Sequence, residues 1–95
     1  MIEVRRTEVF ADWFRGLRDE KAKALIQVRI ARIELGLMGD VKYFDGLGEV
    51  RIDYGPGYRL YFTRRGNTVI FLLCGGDKGS QTRDIERAKA MAKEV

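Results

Sequence analysis

The sequence predicts an α+β fold in a single domain, residues 1–95: a small antiparallel sheet with two N-terminal helices packed on one face and a C-terminal helix, in the order β-α-α-β-β-β-α. Three observations predict it. Apolar residues recur at helical spacing in two stretches near the N-terminus and in one at the C-terminus. Between Leu47 and Cys74 the period drops to two, the repeat of a strand whose side chains alternate between faces. The turn signals Gly55-Pro56-Gly57 and Arg65-Gly66-Asn67 divide that stretch into three strands of a meander. The helices are expected to share one face of the sheet.

Ile2 to Arg6 alternates apolar and charged residues and reads as a short strand. Thr7 can cap the first helix, in which Val9, Phe10, Trp13, Phe14 and Leu17 share a face. Asp19 can cap the second, with Ala22, Leu25, Ile26, Ile30, Ile33 and Leu37 on one side and Gly36 and Gly39 at its end. Val50, Ile52 and Tyr54 then oppose Glu49, Arg51 and Asp53, and Leu60 and Phe62 oppose Arg59 and Tyr61. Val69 to Cys74 is apolar on both faces, as a buried central strand is. Gly75 to Gly79 reads as a flexible loop, and Ser80 or Thr82 starts a last helix carrying Ile85, Ala88, Ala92 and Val95.

Composition excludes several chemistries. The chain has no His, so no imidazole can act as base, shuttle or ligand. A single cysteine, Cys74, rules out an internal disulfide and a cysteine-rich metal site. No apolar run reaches membrane-spanning length, and the N-terminal residues lack a signal peptide's apolar core. The expectation is a soluble cytoplasmic protein without membrane partner, metal or small-molecule cofactor. Lys and Arg number 18 against 14 Asp and Glu, and the net charge of +4 suits an acidic partner such as nucleic acid.

Arg51, Arg59 and Tyr61 have the parity of one polar sheet face. Cations hold phosphates and a tyrosine ring stacks on a base, so this face suits RNA. It equally suits a solvated face with cross-strand ion pairs, for which Glu49 and Asp53 are available. Lys78, in the glycine-rich segment before the last helix, suits a polynucleotide phosphate, because a helix N-terminus and an ammonium both favour an anion. The same segment also reads as a plain strand-to-helix turn. Cys74 reads as packing.

Three segments resemble a known family. They are Thr7-Glu8-Val9-Phe10-Ala11-Asp12-Trp13-Phe14, Gly57-Tyr58-Arg59-Leu60-Tyr61-Phe62, and Leu72-Leu73-Cys74-Gly75-Gly76-Asp77-Lys78 followed by Gln81, Asp84 and Ile85. Together they resemble the RelE/ParE superfamily of toxins, in its HigB-like "addiction module killer protein" branch, over essentially the whole chain. The resemblance implies a RelE-like fold and the toxin of a type II toxin–antitoxin pair. It implies a ribosome-dependent mRNA endoribonuclease, or mRNA interferase, that inhibits translation and arrests growth. Implied partners are a HigA-like helix-turn-helix antitoxin, the ribosome and its mRNA, with operator DNA met only through the antitoxin. Carried over by position, Arg59 and Lys78 are the catalytic residues: Arg59 stabilises the scissile phosphate, and Lys78 binds phosphate or acts as general acid. Arg51, Tyr61 and Arg83 are the RNA-binding residues. The superfamily also contains ParE-like gyrase poisons without nuclease activity. A degenerate toxin serving only as antitoxin-binding partner is a third reading.

Overall fold

Thr7 ends one element and begins the next. In the computed structural model, which describes residues 1–95, strand β1 is Glu3–Arg6 and helix α1 is Glu8–Arg15. Between them the Thr7 hydroxyl oxygen accepts from the Phe10 amide at 3.1 Å and donates to the Leu73 carbonyl at 2.6 Å. One hydroxyl thus caps a helix and ties it to a strand. Asp19 caps α2, Glu20–Glu34, accepting from the amides of Lys21 and Ala22, and it also accepts from the hydroxyl of Tyr54, in the turn after Ile52. The Ala22 amide first, then the Tyr54 hydroxyl, hold the Asp19 carboxyl below its usual range. Both expected caps are therefore in use. Leu37, expected on the α2 face, lies beyond the helix and is exposed.

The sheet has one strand more than the sequence reading. Its strands are β2, Val41–Phe44; β3, Leu47–Ile52; β4, Tyr58–Arg65; and β5, Val69–Asp77. A 3-10 turn, Lys78–Ser80, leads into α3, Gln81–Ala92. The additional strand is β2, joined to β3 through Asp45-Gly46, both at positive φ (51° and 79°). Two left-handed residues in a two-residue loop match the twist of a tight hairpin, and Asp and Gly are suited to them.

Strand order is β1-β5-β4-β3-β2. The ladders from β2 to β5 are antiparallel, but β1 runs parallel to β5, so the sheet is mixed and not purely antiparallel. A parallel neighbour requires a long crossover. The two helices and the intervening hairpins supply it.

Helices cover both faces, which corrects the one-face expectation. From α1 and α2, Phe10, Ala22, Ile26, Ile30 and Ile33 pack on Val50, Ile52, Leu60, Phe62, Ile70 and Leu72. On the opposite face, α3 sets Ala88 and Ile85 against Leu47, Tyr61, Leu73 and Cys74. Each large apolar side chain so buried contributes roughly 1.5–3 kcal/mol. No helix is long and apolar enough to cross a membrane.

A bulge in β5 prepares the site. Tyr61 pairs with Cys74 and Phe62 with Leu72, which leaves Leu73 as an extra residue. Beyond it, Gly75 and Gly76 are still strand, paired with Leu60 and Arg59, where the sequence reading had a loop. Their missing side chains make room on opposite faces. A Cβ at Gly75 would overlap the Trp13 indole, and one at Gly76 would overlap the Asp84 carboxylate and the Ser80 hydroxyl.

Candidate functional site

At the end of the sheet that α3 leaves uncovered, Arg51 on β3 stands directly opposite Arg59 on β4. Like charges in that position repel. Asp40, which precedes β2, relieves this by accepting from Arg51 Nε at 3.3 Å and Nη2 at 3.1 Å. Asp40 itself is held by α2. Arg29 donates to the carbonyls of Arg51 (2.8 Å), Met38 (3.2 Å) and Asp40 (3.2 Å). Burial lowers the pKa of the Arg29 guanidinium from its usual value, an effect that the Asp40 charge partly offsets. The role of Arg29 depends on carbonyls outside its own helix, which no local pattern records.

Arg59 has no carboxylate partner. Its Nη1 lies 3.3 Å from the carbonyl oxygens of Gly57 and Tyr58, and its Nε is buried without a partner. Lys78 arrives from the other side, after β5 has paired Asp77 with Tyr58. The Lys78 amide donates to the Pro56 carbonyl at 3.4 Å. Gly57 is the hinge of this approach. At φ 80° it adopts a backbone that L side chains rarely take, and the point where its Cβ would stand is 3.4 Å from Lys78 Cβ and 3.5 Å from Arg59 Nη1. The two candidate catalytic residues therefore converge.

They line one cleft of about 410 Å³ with Arg51, Asp40, Asp53 and the 55–57 turn. The five ion pairs of the chain include Arg51 but neither Arg59 nor Lys78, so two cations face the cleft unneutralised. A neighbouring concavity of about 370 Å³ begins at Lys78 and runs over Gly79, Ser80, Gln81 and Thr82 to Arg83. Arg83 is thus set apart from Arg59. It is exposed and lies 3.9 Å from Asp84.

Tyr61 is the correction. Its parity matches Arg59, but α3 covers it, and it is 0% exposed with its hydroxyl unpartnered. Burial, reinforced by the neighbouring Glu49 carboxylate, pushes its pKa well up. No base can stack on it. Glu49 is buried too, at 2% exposure, and accepts from the Gln81 side chain at 2.9 Å instead of pairing across the sheet with arginine. The carboxylate of Asp84, 7% exposed, accepts from Ser80 above Gly76. Glu49 thereby ties the first turn of α3 to the sheet, and Asp84 ties the 3-10 turn that carries Lys78 to α3 itself. Cys74 is packing, as expected: burial pushes its thiol up to about 11.

No family model matches the sequence. An uncharacterized protein of Haemophilus influenzae is 43% identical over 95 residues, spanning 99% of this chain and 96% of the relative. Identity at that level across both chains is the mark of common descent, and the chain belongs to the same family as the Haemophilus influenzae protein.

Proposed function

We propose that this protein is the toxin of a type II toxin–antitoxin pair, an endoribonuclease that cuts mRNA on the ribosome and so stops translation. The observation that carries the proposal is the convergence of Arg59 and Lys78, both without ion-pair partners, on one open cleft. An unneutralised guanidinium beside an ammonium favours a bound phosphodiester, and favours still more the extra negative charge that develops when that phosphate is attacked.

In the reaction, the ribose 2′-oxygen attacks the adjacent phosphorus. The O2′–P bond forms and the P–O5′ bond breaks. The 2′-hydroxyl proton goes to a base, and the departing 5′-oxygen takes up a proton. Arg59 neutralises the equatorial oxygens of the phosphorane. Lys78, reaching the same phosphate from the 3-10 turn, donates the proton to the leaving oxygen. Arg51, tethered by Asp40, steadies the strand at the cleft wall. Arg83 contacts the chain farther along the neighbouring concavity. A HigA-like antitoxin silences the toxin by occluding this basic end.

Adding the protein to translating ribosomes should yield A-site cuts with 2′,3′-cyclic phosphate ends, and Arg59→Ala should abolish them. Intact mRNA together with inhibited gyrase supercoiling would overturn the nuclease reading in favour of a gyrase poison. One observation favours a non-enzymatic second reading: burial of Tyr61 leaves the cleft without an aromatic ring. Overexpression without growth arrest would select that reading.

A further inference from the structure

Phosphate binding leaves one group in the cleft unexplained. Asp53 stands on the cleft wall two residues beyond Arg51, exposed, and takes part in no ion pair. The other carboxylate there, Asp40, is already held by Arg51. A free carboxylate repels a phosphate placed against it. It suits a ligand whose anionic group and hydrogen-bond donors lie at opposite ends, which is the layout of a nucleotide. The cleft, at about 410 Å³, falls in the usual range for one such group.

The four bases differ in what they offer a carboxylate. Guanine presents two parallel N–H donors, at N1 and N2, to match the two carboxylate oxygens. Adenine and cytosine offer one amino group beside an acceptor. Uracil offers a single N–H flanked by two acceptors, which a carboxylate repels. We propose that Asp53 reads a guanine in the RNA strand whose phosphate sits between Arg59 and Lys78. This inference rests on the RNA reading of the cleft and adds its base specificity.

The test is binding of short single-stranded RNAs, all uridine or with one central guanosine, adenosine or cytidine, to the wild-type protein, Asp53→Asn and Arg59→Ala. Guanosine 5′-monophosphate alone serves as the arm for a free nucleotide. The guanosine strand should bind the wild type roughly tenfold tighter than the uridine strand. Asp53→Asn should move the two in opposite directions: the uridine strand binds tighter because a negative charge is gone, and the guanosine advantage disappears. Misfolding would weaken both together, and a circular dichroism spectrum separates that case. Equal affinities for all four strands, or a guanosine preference that survives Asp53→Asn, would overturn the proposal while leaving the RNA reading intact. Loss of cleavage in Asp53→Asn with base preference unchanged would also overturn it, making Asp53 a general base. Guanosine monophosphate bound as tightly as the strand would place the site in nucleotide binding instead. Failure of every strand to bind the wild type would overturn the proposal, and cleavage on translating ribosomes then decides the RNA reading separately.

Discussion

Gly57 and Tyr61 show how much a single residue decides here. Gly57 carries a left-handed backbone and also vacates the space between Lys78 and Arg59. Gly57→Ala should cost about 1–2 kcal/mol for the backbone alone, read from urea denaturation; the added Cβ would meet Lys78 Cβ and Arg59 Nη1 at ordinary contact distance, so the cost lies in the backbone and not in a displacement of either cation. Tyr61 presents the opposite case. Its hydroxyl is buried and makes no well-aligned hydrogen bond, with the Glu49 carboxylate close by, so Tyr61→Phe removes a desolvated group and only a poorly aligned contact with Glu49. The variant should be as stable as the wild type or more so, with unchanged RNA cleavage. A selective loss of cleavage would return Tyr61 to the site. Strand parity makes Arg59 legible in the sequence, and the helix start after the glycine-rich segment does the same for Lys78; their catalytic roles come only from the family resemblance. Parity also placed Tyr61 beside Arg59, but it states which face a side chain takes, not what covers that face. The covering by α3 is a long-range packing event, which no local pattern records.

Among elements, the caps were the most legible and the sheet edges the least. Thr7 and Asp19 act within three residues of themselves, so their hydrogen bonds follow from local sequence. Thr7→Ala should cost about 1 kcal/mol. Asp19 adds a pH dependence. Its folded pKa is lowered, so its contribution is present above the ordinary carboxylate value near 4 and is lost as pH falls through the lower folded value. Asp19→Asn should therefore lower stability at neutral pH and flatten its decline below about pH 4; an unaltered acid limb would contradict the capping role. Strand β2 was missed although Asp45-Gly46 is a hairpin signal, because the strand is only four residues long, with both of its middle residues exposed. Gly75-Gly76 read as a loop because glycine favours loops. In the structure the same absence of a side chain admits Trp13 and Asp84 against a strand.

For the whole molecule, two helices pack on one face of the sheet and one on the other, and Arg59 and Lys78, the unpaired cations of the site, line the cleft beside the 55–57 turn. Arg29 from α2, Asp40 before β2, Glu49 on β3 and Asp84 on α3 all brace the surroundings of that cleft. The account rests on Arg59 and Lys78 acting on one phosphate. Cleavage of mRNA on translating ribosomes by the wild type, Arg59→Ala, Lys78→Ala and the double variant tests this directly. Groups that serve one transition state are strongly non-additive, so each single variant should lose roughly a hundredfold or more, and the double should be little worse than the weaker single. Losses that simply multiply, or wild-type cutting by Arg59→Ala, would contradict the account.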